Sequence, residues 1–333
     1  MDEAPLHHPH DKLFKAGFSD PINAAAFLRW EVPPALAETI DWNQLTLQPG
    51  SFIDSQYRHT ESDLLFSAPI GDTTCLCYLL FEHQTTPQRT LALRLLSYMV
   101  RIWETWQAQN PGLPLPLILP IVLAQNATAW HLPTQFAQLF DLPAALHDPV
   151  RSAIPDFSYR LIQLATLPFF AIRGTPAGIL TLRVMKAERS GQLLADPVWD
   201  EALMKQVPRA VFERLLRYML AAEIDKAAFD LKVHTIAEPE LQKTTMSLAQ
   251  QIMEEGIQKG LQTGLQTGLQ TGLQKGLQNG LRKSLLQLLE FRFGPVPEGL
   301  SESIQAVSDE ARLSLLQRAA LQADSLEAFT TAF

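Results

Sequence analysis

Read as a pattern of apolar and polar positions, the chain opens with helix, passes through two adjoining strands, and returns to helix and strand before its longer helical half. Ser62-Asp63-Leu64-Leu65-Phe66 and the run at 75–84 flank a turn at 69–72, and together they predict a β-hairpin. Asp63 opens one arm and Glu82 closes the other, so the hairpin brings two carboxylates to the same end. Glu82 and Gln84 stand two apart and share a strand face, with His83 on the opposite one. Upstream, Ser19-Asp20-Pro21 is a helix start whose helix ends at Pro33-Pro34, and the alternation at 45–47 and 52–54 predicts an edge strand. Downstream, 87–110 reads as a long helix stopped by Asn110-Pro111-Gly112, and 117–123 as a strand buried on both faces. That order is α/β.

Beyond Trp130 the pattern breaks into short helical pieces around Pro143, Pro149 and Pro155. An apolar stretch at 164–182 adds packing, and 207–237 has the spacing of an amphipathic helix. The segment at 256–283 then repeats glycine, leucine or isoleucine, glutamine and a fourth residue with period four. Glycine falls at 256, 260, 264, 268, 272, 276 and 280, a placement that costs an isolated helix roughly 7 kcal/mol relative to alanine. Two readings stand: a flexible linker, or a helix that self-associates between Gly256 and Lys283 through its small residues, the glycine cost tilting toward the second. From 284 onward, helical patterning resumes around a break at Gly294-Pro295-Val296-Pro297.

Composition narrows the function classes. With 333 residues, 47% hydrophobic and 19% charged, the chain is globular and long enough for several domains. A net charge of −8 excludes a protein that coats nucleic acid by charge alone, so a DNA partner has to be held locally. Cys75 and Cys77 share a strand face at a spacing that fits neither a zinc knuckle nor a redox pair, which points to buried reduced thiols and a cytoplasmic protein. The first residues carry no signal-peptide core, and the longest apolar run, at 113–124, is short and broken by three prolines. No membrane partner is expected.

The chemistry that suits paired carboxylates beside a polar third group is metal-assisted phosphodiester hydrolysis. Asp63 and Glu82 would hold Mg²⁺, with Mn²⁺ as a substitute, and Gln84 would orient the attacking water. On spacing alone, two solvated strand ends are the commoner explanation. Basic residues that could meet a phosphate are Lys12 and Lys15, at the start of the first helix, and Arg94, which shares a helix face with Tyr98 and Arg101 at i, i+4 and i+7.

The words around these positions add weight. His10-Asp11-Lys12-x-Phe14-Lys15, Ser62-Asp63-Leu64-Leu65, Leu80-Phe81-Glu82-His83-Gln84 and Leu93-Arg94-Leu95-Leu96-x-Tyr98 followed by Trp103 resemble, in that order, the Rpn family of recombination-promoting nucleases and putative transposases. The resemblance covers about the first 130 residues. It implies a PD-(D/E)xK restriction-endonuclease-like core, a mixed sheet flanked by helices, with Mg²⁺-dependent DNA cleavage; the patterning beyond that core predicts a mainly helical C-terminal half. Glu-His-Gln is what that family shows where other branches carry Glu-x-Lys. Where many relatives read Tyr-His-Gly after the next strand, this chain has Ala124-Gln125-Asn126.

The expected organisation is a nuclease-like core at 1–150, a helical extension at 151–240, the repeat helix or linker at 241–283, and a small helical module at 284–333. The expected function is a metal-dependent DNA endonuclease linked to recombination or mobile elements. Its rival is a catalytically silent, transposase-related interaction protein that works through its helical tail.

Overall fold

The computed structural model describes residues 9–49, 63–82, 87–222 and 224–331, with the backbone alone at 78–82, 144 and 147. Its elements divide into two compact units, Met1–Gln250 and Gln251–Phe333.

The first unit holds a five-stranded sheet, β1 (Thr46–Leu47), β2 (Leu64–Ile70), β3 (Thr73–Glu82), β4 (Leu117–Ala124) and β5 (Arg160–Gln163), whose strands lie side by side in sequence order. β1, β2 and β3 pair antiparallel; β3, β4 and β5 pair parallel. Its helices are α1 (Pro9–Phe18), α2 (Pro21–Leu28), α3 (Pro34–Thr39), α4 (Leu91–Gln109), α5 (His147–Val150), α6 (Pro176–Ser190), α7 (Glu201–Met204), α8 (Arg209–Ala221) and α9 (Lys226–His234). The mixed sheet flanked by helices is the α/β arrangement expected from the pattern.

The hairpin forms as predicted, from Leu64↔Leu79 to Ile70↔Thr73. Its two-residue turn uses Gly71 at φ 57°, a left-handed conformation that favours glycine. Residues 52–54, read as part of an edge strand, lie outside the described residues. β4 runs through Pro120, which pairs with Tyr78 on the β3 side. Pairing with β5 begins only at Ile121, so the missing proline N–H is tolerated where that side of the strand is open.

Both faces of the sheet are covered. One carries Leu65, Leu76, Ile118 and Val122 against Leu91, Leu95, Tyr98, Met99 and Ile102 of α4. α4 lies on this face because its buried residues recur at helical spacing while Leu93 and Val100 point outward. α1, α6 and α8 pack on one another as a second helical layer. Their junction is close: a Cβ on Gly17 would meet Thr181 at 3.0 Å, and one on Gly178 would meet the Phe18 ring at 3.8 Å.

Three expectations change. The extension read as helical contributes β5 to the sheet; four residues with one fully buried position carry no visible alternation. The helix read at 207–237 is two, α8 and α9, separated where Asp225 caps the second by accepting from the Ala228 N–H. Arg94, Tyr98 and Arg101 do not form one polar stripe, because Tyr98 is buried in the core while Arg101 is exposed and paired with Glu104 at 2.9 Å. At 100° per residue, Tyr98 and Arg101 stand about 60° apart, enough to straddle the edge of the buried face.

The repeat is helical. α10 (Pro239–Phe293) is a continuous helix of 55 residues that runs through the division between the units. In the second unit its last turns, with Leu285 and Leu289, join α11 (Glu298–Ala306), α12 (Glu310–Gln322) and α13 (Leu326–Thr331) around Ile304, Leu313, Leu316 and Phe329. No described helix is long and apolar enough to cross a membrane.

Candidate active site

The strand directions decide where the candidate acids fall. β3 ends at Glu82, and antiparallel β2 begins just after Asp63, so both positions belong to the same end of the sheet. Carried one position beyond Leu64↔Leu79, the register sets Asp63 against Leu80. Glu82 is two further along β3 and so has the same pleat parity as Leu80. Such diagonal positions on neighbouring strands lie about 7–8 Å apart, close enough for two carboxylates to share an ion. Asp63 is half-buried. Gln84 lies outside the described residues.

Glu82 also pairs with Ala124, and Ala124 with Gln163, so the carboxyl ends of the three parallel strands finish in one row. The sheet changes from antiparallel to parallel at β3. Ligand sites of open α/β sheets gather in the crevice beyond the carboxyl ends of the parallel strands.

The basic candidates occupy two layers. Arg94 sits in the first turn of α4, half-buried, with Nη1 donating to Gln88 Oε1 at 3.5 Å. Lys12 and Lys15 are exposed on α1, in the layer that α1 forms with α6 and α8.

The segment after β4 is more ordered than its unusual wording suggests. Gln125 is 1% exposed, and its Nε2 donates to the Met185 carbonyl at 2.8 Å, to Tyr218 Oη at 3.1 Å and to Glu188 Oε2 at 3.2 Å. Tyr218 Oη in turn lies 2.6 Å from His10 Nδ1, so the first helix is tied through α8 to the residue that follows the row holding Glu82. Asn126, 2% exposed, donates to Gln163 Oε1 at 2.9 Å and to the Thr128 carbonyl. Sequence reading missed this network. The signal available was two consecutive amides at the end of a buried strand, where polar side chains must find partners.

Burial raises the Glu188 carboxyl above its ordinary value, with Arg189 at 3.5 Å partly opposing the shift. It also raises the Tyr218 hydroxyl. A carboxyl with a raised folded-state pKa holds its proton more tightly in the native chain than in the unfolded one. Its ionisation therefore lowers stability as pH climbs from the ordinary glutamate value through the raised one. Glu188→Gln is expected to remove that contribution, so the urea midpoint of the variant relative to the parent should be higher at pH 7 than at pH 4.5.

Among the described residues, no group of three or more His, Cys, Asp or Glu is gathered as a metal cage. Asp63, Glu82 and Gln84 offer only oxygen-rich side chains, a donor set that suits Mg²⁺, which binds through one or two carboxylates and keeps several waters.

Comparison with known proteins adds the lineage. A family described as "Putative transposase, YhgA-like" matches residues 8–206, which include every strand of the sheet and helices α1 to α7. The chain belongs to this family. Among curated relatives, it is similar to recombination-promoting nuclease RpnD of Escherichia coli O157:H7, 32% identical over 34% of this chain and 44% of RpnD. The chain thus spans less than half of that relative. It is also similar to recombination-promoting nuclease RpnA of Escherichia coli K12, 24% identical over 74% of this chain and 84% of RpnA. A third relative, the inactive recombination-promoting nuclease-like protein RpnE of the same strain, is 24% identical over 77% of this chain and 85% of its own length. No solved structure matches.

Proposed function

We infer that this YhgA-like chain is a metal-dependent DNA endonuclease acting in recombination or on mobile elements. The observation that carries the reading is the β2–β3 register, which supports a shared site for Asp63 and Glu82 at one end of the sheet. The names of RpnD and RpnA, both recombination-promoting nucleases, support the same class.

In this reading Asp63 and Glu82 hold Mg²⁺ or Mn²⁺, and Gln84 orients the attacking water through its amide. The ion would supply Lewis-acid polarisation of the phosphoryl oxygen and a more acidic bound water. Arg94 would meet the scissile phosphate from the α4 layer, and Lys12 or Lys15 would meet the flanking backbone from the α1 layer. A net charge of −8 makes these local contacts necessary, since the protein as a whole repels DNA.

A second reading, a catalytically silent interaction protein, is favoured by the likeness to RpnE, which spans more of this chain than those to RpnD and RpnA. Incubation of the purified full chain with supercoiled plasmid separates the two. The endonuclease reading expects nicked or linear product with Mg²⁺ or Mn²⁺ and none with EDTA. Intact plasmid under all metals would overturn it in favour of the silent protein.

A further inference from the structure

Residues 157–187 stand apart in charge: in a chain of net −8 they contain Arg160, Arg173, Arg183 and Lys186 and no aspartate or glutamate. In the middle of this stretch an aromatic ring faces solvent. Phe170 is 85% exposed, yet it is held on a short 3-10 turn, Phe169–Ala171, closed by the Ala171 N–H donating to the Pro168 carbonyl at 2.9 Å. Buried Ile172 anchors the chain soon after it, and Thr175 Oγ1 donates to Asn23 Oδ1 of α2 at 2.5 Å. The ring is therefore presented on a fixed backbone.

Three residues on, the exposed Arg173 guanidinium lies 4.3 Å from the ring centroid of Trp30, whose indole is itself 55% exposed. Trp30 lines a groove of about 610 Å³ together with Pro33, Leu36, Pro120, Ile121 and Arg160. Arg160 is exposed and pairs with Glu31 at 3.0 Å. In the other direction, the Lys186 ammonium lies 5.2 Å from the Phe169 ring and donates to the carbonyls of Leu164 and Ala165, the two residues that follow β5. Cations and rings thus alternate from the carboxyl end of β5 to the groove.

We propose that this surface binds single-stranded DNA, with unpaired bases stacking on Phe170 and Trp30 and phosphates meeting Arg173 and Arg160. The choice of DNA rests on the endonuclease reading above; the need for an unpaired strand rests on the rings. Bases inside a duplex are stacked on their neighbours, so only a base released from pairing offers its face to a side chain. Arg173 is occupied by an indole and Lys186 by two backbone carbonyls, neutral partners that leave both charges uncancelled. A DNA strand carries a π-face and a negative charge at every nucleotide, which answers this alternation. An apolar peptide would cover the rings and leave the cations unanswered. Because the surface begins beside the carboxyl end of β5, the strand held here would continue toward the row that holds Glu82.

The test is binding by the full chain in EDTA, where no metal-dependent cleavage intervenes, read as the anisotropy of a labelled oligothymidylate of about 20 nucleotides, longer than one such surface covers. A duplex of equal length is the comparison. The single strand is expected to bind about tenfold tighter than the duplex. Phe170→Ala and Trp30→Ala are each expected to weaken it by about tenfold, and Trp30→Phe, which keeps a ring, to retain most of the binding. Arg173→Gln is expected to lower the slope of log affinity against log salt by about 0.7, the share of one phosphate on a single strand, while Phe170→Ala leaves that slope unchanged. Equal binding of strand and duplex, no binding by the parent, or full binding by Phe170→Ala overturns the proposal. Plasmid cleavage with Mg²⁺ is read separately. A parent that cuts but whose strand binding ignores both rings loses this surface and keeps the endonuclease reading; one that binds through the rings and does not cut keeps the surface and loses the endonuclease.

Discussion

Asp63→Ala and Glu82→Ala are each expected to lower metal-dependent plasmid cleavage by about a thousandfold or more, while the melting temperature falls by no more than a degree or two. The size follows from what the pair would do. Charge stabilisation by a correctly held ion amounts to several kcal/mol, and each 1.36 kcal/mol is tenfold in rate. The small thermal effect follows from position, since both residues sit at strand ends, outside the row that begins at Leu64↔Leu79. Wild-type cleavage by either variant would remove that residue from the site. A collapse in melting temperature would instead assign it a structural role.

The second large effect is on stability. Phe18 is fully buried, stacked on Phe14 at 5.2 Å between centroids and edge-on to Phe27 at 5.5 Å, beside the close approach of α1 and α6 at Gly17 and Gly178. Phe18→Ala is expected to cost about 3–5 kcal/mol, because the neighbouring rings and two glycine contacts leave little that can move into the cavity. For a unit of this size that is a fall of roughly 6–20 °C in melting temperature, measurable by calorimetry. A loss under 1 kcal/mol would mean that the α1 junction is not part of the cooperative core.

The hairpin, α4 and β4 were legible in the sequence because each carries its own local signal. The two-residue turn, the helix stop at Asn110-Pro111-Gly112 and the aliphatic run at 117–124 need no distant partner to be recognised. β5 was not, because Arg160–Gln163 becomes a strand only by pairing with a β4 already in place. The candidate site divides in the same way. Asp63 and Glu82 could be read as neighbours, since a hairpin is local. Gln125, Tyr218 and His10 come from three distant segments joined only by the packed helices. Arg94 and Tyr98 were read as one polar stripe because spacing reports angle around a helix but not which angle faces the core. For the repeat, period alone left helix and linker open, and the structure resolves it as helix.

The tie between His10 and Tyr218 has a consequence for how the chain is made. The two residues are 208 apart, and α1, which leaves the ribosome first, completes its packing only when α6 and α8 have followed. At ordinary translation rates that interval is roughly 10–40 s. Throughout it the Phe14 and Phe18 rings are without their final cover while the β2–β3 hairpin can already close. The nascent chain thus carries an aromatic helix in waiting, and transiently exposed apolar surface of this kind is what makes partly folded chains prone to aggregate.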